Sequence, residues 1–189
     1  MAVLRKATEA TLRDYESIDR SYQITERLIP ALGDGTWTFE PFDGGIKQEQ
    51  PDEEEMAFVK RALTEEDADV FLAYDGSHCV GAIALRIWWN GCAYVEHIAV
   101  SPPYRGQGIA AQLMDAAVGW ARERGRRVLM LEAQDVNARA CRFYARQGFK
   151  LCGVDTMLYV CTESRGETAL FWYRDIDITK GEFFHDGKD

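Results

Sequence analysis

Along the chain, the spacing of hydrophobic positions switches between two periods, and each switch marks an element. Residues 95–100 (V-E-H-I-A-V) are an apolar, β-branched run stopped by Ser101-Pro102-Pro103, the pattern of a strand. From Ile109 the apolar positions recur at helical spacing through Leu113, Ala116, Ala117 and Trp120, which predicts an amphipathic helix ended by Gly125. Residues 127–133 (R-V-L-M-L-E-A) then read as a buried strand, made parallel to its predecessor by the helical crossover. A second helix follows over 137–147, with Ala140, Phe143 and Tyr144 on one side and Gly148 as its stop.

Upstream, residues 3–7 suggest a short strand, and Thr8 stands where it can cap a helix over 9–19 with Leu12, Tyr15 and Ile18 inward. Residues 22–32 admit a further helix ended by Gly33, and 36–42 alternate as a strand closing at Asp43-Gly44-Gly45. Pro51 and the acids after it suit the start of a helix through Met56, Val59 and Leu63. Residues 70–74 and 79–89 pair as strands across Asp75-Gly76, and Asn90-Gly91 turns the chain into 93–100. Residues 149–160 and 168–174 alternate as closing antiparallel strands, and the chain turns polar beyond residue 177. The order predicts one α/β domain over 1–177 and a polar tail over 178–189. Its sheet is mixed, mostly antiparallel with a central parallel pair, and carries helices on both faces.

Composition narrows the function. The 189 residues are 47% hydrophobic and 28% charged, ordinary for one globular domain. No run approaches the roughly 18 apolar residues of a membrane span, and the first residues lack the apolar core of a signal peptide. Five cysteines without a C-x-x-C pair read as buried thiols in a reducing compartment, neither disulfides nor metal ligands; the expectation is a cytoplasmic protein without a metal. A net charge of −9 argues against nucleic acid. Its distribution is uneven: carboxylates dominate residues 49–69, with Asp52, Glu53, Glu54 and Glu55 in a row, while Arg105, Arg122, Arg124, Arg126, Arg127, Arg139, Arg142 and Arg146 crowd the second half. A phosphate-bearing ligand would suit the second surface and a cation the first.

Between the central strand and its helix lies Arg105-Gly106-Gln107-Gly108-Ile109-Ala110. Glycines let a backbone approach a ligand closely, and the first amides of a helix point at an anion in the turn. The spacing is neither the G-x-G-x-x-G of dinucleotide folds nor a P-loop. It resembles the acetyl-CoA pyrophosphate loop, Q/R-x-x-G-x-G/A, of the GCN5-related N-acetyltransferases. That resemblance implies the acyltransferase fold with a splayed parallel pair at its centre and acetyl-CoA as cosubstrate. It also implies that Ile98, Ala99 and Val100 meet the acetyl group and pantetheine, and that Asn137, Ala140 and Tyr144 flank the cofactor on the other side. Residues 131–159 (L-E-A-Q-D-V-N-A-R-A-C-R-F-Y and onward to G-V-D-T-M-L-Y) narrow it further, to the streptothricin (nourseothricin) acetyltransferases. Those enzymes acetylate a β-lysine amine of a cationic antibiotic. Trp89-Asn90, the acidic run and E-T-A-L-F-W-Y at 167–173 agree, while the first fifty residues match poorly.

Chemistry sets what such a site must contain. A lysine-type amine has a pKa of about 10.4 and attacks a thioester only when neutral. The site must collect a cation, remove its proton, stabilise an oxyanion and protonate the departing thiolate. Tyr144 is either a core aromatic or, as the resemblance implies, the acid beside the sulfur. Asn137 is a helix cap or a pantetheine partner. Two carboxylates contend as base. Glu132 stands twelve residues before Tyr144, a spacing shared with protein N-terminal acetyltransferases. Glu96 falls, by strand alternation, on the face of Ile98 and Val100. The favoured assignment is Glu132 as base, through water, with Glu96 holding or deprotonating the amine; either could equally be a structural ion pair.

Asp155, Tyr159, Glu167, Trp89 and Asn90 would flank the acceptor, and Asp52–Glu55 would complete an acidic funnel or merely begin a helix. The expected function is antibiotic-inactivating N-acetylation by direct transfer. The alternatives are a protein N-terminal or lysine acetyltransferase and a non-catalytic acetyl-CoA-binding regulator. Apolar residues around Trp88, Phe171 and Trp172 leave a homodimer open.

Overall fold

A computed structural model describes residues 2–31 and 36–176. Seven strands form one sheet: β1 (Val3–Lys6), β4 (Ala68–Asp75), β5 (His78–Ile87), β6 (Ala93–Val100), β7 (Val128–Gln134), β9 (Ala169–Asp175) and β8 (Lys150–Asp155), in that spatial order. All neighbours pair antiparallel except β6 and β7. A separate ribbon joins β2 (Tyr22–Pro30) to β3 (Trp37–Lys47). One face of the sheet carries α3 (Ile109–Glu123) and α4 (Ala138–Arg146), packed around Leu113, Met114, Trp120, Tyr144 and Trp172. The other face carries α1 (Leu12–Glu16) and α2 (Glu53–Ala62), packed around Tyr15, Ile18, Phe58 and Val59. This is the layout the resemblance implied.

The central parallel pair is short. β6 and β7 are in register only from Ala93↔Leu129 to Val95↔Leu131. The next residue of β6, Glu96, is a bulge: Leu85 faces Val95 and Ala84 faces His97, leaving Glu96 unmatched. A bulge bends its strand, and β6 and β7 part there. The edge of Ile98–Val100 that would face β7 has no strand partner among the described residues.

Four expectations fail. Residues 22–30 are strand, not helix. Ile24, Glu26 and Leu28 share a strand face, but Glu26 is ion-paired to Arg142 instead of apolar, so the remaining apolar pair sits four apart and mimics a helix. Gly33 lies outside the described residues, as does the tail over 178–189. Asp43-Gly44-Gly45 does not close β3; the strand continues, and the glycines serve an irregularity opposite Ile24–Glu26. A Cβ on Gly44 would stand 2.6 Å from Ile24 Cγ2. Finally, β8 stops at Asp155, because that carboxylate accepts the Met157 and Leu158 amides at 2.7 and 3.0 Å and turns the chain. The helix expected over 9–19 is also shorter, a 3₁₀ turn at Glu9–Thr11 leading into α1.

Of the aromatic residues that left a dimer open, Trp172 is fully buried, while Phe171, beside Gly153, and Trp88, stacked on Tyr94 at 4.6 Å, are partly exposed. No helix among the described residues is long and apolar enough to cross a membrane.

Candidate active site

Past β6 the chain makes a 3₁₀ turn at Pro102–Tyr104 and enters α3 through two left-handed glycines, Gly106 (φ 79°) and Gly108 (φ 82°). A side chain is strained in that region, so glycine is what permits the turn. Gly108 is the N-cap, and the first amides of α3 emerge where no side chain caps them. Arg105 Nε–H donates to the Val100 carbonyl at 2.6 Å, anchoring its guanidinium beside the strand end.

Together these residues wall a cavity of about 380 Å³. Ile98, Ala99, Val100, Gly106, Gly108 and Ala110 line one side, and Asn137, Arg139, Ala140, Phe143, Tyr144 and Arg146 of the α4 region line the other. Among the expected cofactor residues, Gln107 and Ile109 do not line it: Gln107 bonds the Pro103 carbonyl and Ile109 is core. Asn137 caps α4, its Oδ1 accepting the Ala140 amide at 3.2 Å, and the residue also lines the cavity.

A second cavity of about 580 Å³ opens where β6 and β7 diverge. Its walls include Glu49, Glu55, Glu96, Glu132 and Glu163 against Arg20 and Lys47. The two cavities share Arg20, Glu49, His97, Ile98, Asn137 and Tyr144, so they meet at the Tyr144 ring. Tyr144 is buried, and burial holds its phenol well above the ordinary range, protonated at neutral pH. Glu132, the first β7 residue past the paired register, is pushed up to about 7 by burial, offset in part by the hydroxyl that Tyr159 donates to it. His97 is pushed down to about 4, by burial first and then by Arg20, and is neutral at pH 7.

Residues 33–149 match the acetyltransferase (GNAT) family. The chain belongs to that family. It is 36% identical over 177 residues to streptothricin acetyltransferase A of Bacillus subtilis (strain 168), covering 90% of this chain and 98% of the relative. A Bacillus anthracis str. Ames protein solved with acetyl coenzyme A superposes with a TM-score of 0.81 at 27% identity, over 93% of this chain and 98% of that one. The crystal structure of nourseothricin acetyltransferase gives 0.76 at 31% identity, over 93% and 98%.

On this GNAT scaffold the expected acceptor residues separate. Glu96 does not share the face of Ile98 and Val100. The bulge turns it to the α2 side, where Arg86 Nε reaches its carboxylate at 2.7 Å and the Arg86 guanidinium lies over Trp88 at 4.1 Å and over Phe58 of α2 at 5.7 Å. The acidic run divides. Asp52 caps α2 by accepting the Glu55 amide at 2.8 Å, and Glu53 and Glu54 face solvent. Glu55 turns inward to Arg20 and to the Tyr15 hydroxyl at 2.8 and 2.5 Å. Glu167 pairs with Lys47 at 2.7 Å. Asp155 holds the turn that carries Tyr159. Trp89, 87% exposed, and Asn90, which bonds the Cys92 amide, sit in the hairpin before β6 and line neither cavity.

Sequence reasoning missed Arg20, Tyr22, Glu49 and Glu163. The first three lie in the stretch where the resemblance is poorest, and none stands in a recognisable local pattern.

Proposed function

We propose that this protein transfers acetyl from acetyl-CoA directly to a β-lysine amine of a streptothricin-type antibiotic. The observation that carries the reading is the junction at Tyr144 between a glycine-turn cavity and an acidic one. The diphosphate rests on the amides of Gly106, Gly108 and Ala110 and on Arg105, and pantetheine lies along the unpaired edge of Ile98–Val100 and beside Asn137. The thioester then sits at the junction. The acceptor's ammonium enters the acidic cavity and Glu132 takes its proton, directly or through a water. The neutral nitrogen attacks the thioester carbon while main-chain amides near Ile98–Val100 meet the oxyanion. As the C–S bond breaks, the Tyr144 phenol donates its proton to the thiolate, and the second proton of the attacking nitrogen passes through water to the phenolate, restoring the phenol. Tyr159 orients the Glu132 carboxylate, Asp155 and Glu167 support the loop behind it, and the Arg86–Glu96 pair forms a fixed wall. Holding both substrates side by side supplies much of the rate. No acyl-cysteine is involved: Cys141 is fully buried and pushed up to about 12.

A second reading, acetylation of a protein amine, draws on the twelve-residue spacing of Glu132 and Tyr144. Thiol release from acetyl-CoA, measured with streptothricin and with peptides bearing free N-termini or lysines, separates them. Streptothricin is expected to be turned over and to gain one acetyl group by mass. Turnover of peptides without turnover of streptothricin would replace the first reading with the second.

A further inference from the structure

One carboxylate in these walls has no part in the steps above. Glu49 follows β3 and faces both cavities, whereas Glu132 faces only the acidic one. The other half-buried acids there are engaged: Glu55 by Arg20, Glu96 by Arg86, Glu132 by Tyr159. Glu163 is exposed at the rim. Glu49 has no ion-pair partner within 4 Å among the described residues. Lys47, two residues before it, is committed to Glu167 and to Ser164 Oγ. Its polar neighbour is the hydroxyl of Tyr22, which also reaches Gln134 Oε1 at 3.2 Å. Glu49 is half-buried, and the cations near it, Lys47 and Arg20, are each committed to another carboxylate, so a cationic ligand would complete its charge.

We propose that Glu49 is a substrate-binding carboxylate that seats the acceptor's ammonium group where the two cavities meet. The assignment rests on reading the acidic cavity as the acceptor site. It gives the two carboxylates separate tasks. A lone carboxylate that both holds an ammonium and deprotonates it works against itself, because a tight ion pair keeps the proton on nitrogen. With Glu49 holding the cation, Glu132 is left to take the proton. The arrangement selects acceptors that arrive protonated.

The test compares wild type with Glu49→Gln and Glu49→Asp, using streptothricin and lysine amide as charged acceptors and hydroxylamine as an uncharged one. Binding of the charged acceptors is measured by calorimetry on the protein–CoA complex, and turnover by thiol release. Glu49→Gln is expected to weaken both charged acceptors at least tenfold, Glu49→Asp to fall between, and acetyl-CoA affinity and hydroxylamine turnover to stay within twofold. The assignment is overturned if Glu49→Gln binds the charged acceptors as wild type does, if wild type binds neither, or if hydroxylamine turnover and acetyl-CoA affinity fall in parallel. Binding of lysine amide through Glu49 without any binding of streptothricin would keep the assignment and remove the antibiotic reading.

Discussion

The cavity at the glycine turn takes most of its walls from one stretch, residues 97–111, and one side of α4. The acidic cavity gathers side chains from the end of β3, the first turn of α2, β6, β7 and residues 163–164. The first offers backbone: free amides, an unpaired strand edge and glycines whose positive φ exposes them. The second offers carboxylates, and Glu55, Glu96 and Glu132 are each set by a partner from elsewhere in the chain. Recognition by backbone demands a local sequence and tolerates little change. Recognition by side chains is assembled at a distance, which leaves room for the acceptor to vary on a constant cofactor site.

Substitutions in the two regions should therefore separate cleanly. Removing the base has the largest effect: Glu132→Gln should lower kcat by about 10²–10⁴-fold with acetyl-CoA affinity unchanged by calorimetry. Loss of acetyl-CoA binding in that variant would blur the two regions. Glu55→Ala should act on the fold, since it strands the Arg20 guanidinium, only 4% exposed, at a cost of about 3–5 kcal/mol in denaturant unfolding. Tyr144→Phe should lower kcat by about 10²-fold with a far smaller change in either KM. Arg105→Ala should weaken acetyl-CoA by roughly tenfold, the loss of one charge-assisted contact, and leave acceptor KM alone. Smallest of all, Glu53→Gln with Glu54→Gln should leave every constant within twofold, because both side chains face water at the start of α2.

The raised carboxyl of Glu132 adds a dependence on pH. As base it must be ionised, so kcat/KM should fall as pH drops below about 7. For stability the sign is opposite. The folded carboxyl binds its proton more tightly than the unfolded one, so stability is lost as pH rises from the ordinary carboxyl range to about 7. Glu132→Gln escapes that loss and should show a higher Tm than wild type at pH 8.

What the sequence made legible follows the same division. The strand, glycine turn and helix from residue 93 to 123 are contiguous, and their periods and stop signals are local; so are the cap at Asn137 and the stop at Gly148. The bulge at Glu96 was hidden, because alternation assumes an unbroken ladder and only the register with β5 shows the extra residue. β2 was misread because Glu26 answers Arg142, 116 residues away, where an apolar residue would have kept the strand pattern. The run Asp52–Glu55 looked like one feature, yet one member caps, two face solvent and one is paired inside. Glu49 stood only as the first acid of the stretch 49–69, since its meaning depends on where the β2–β3 ribbon sets it down.

Initial velocities measured while both acetyl-CoA and streptothricin are varied test most directly that the two cavities work as one centre across Tyr144. Direct transfer predicts intersecting reciprocal plots and no acetylated protein when acetyl-CoA is supplied alone. Parallel plots, with an acetyl group found on the protein itself, would contradict it.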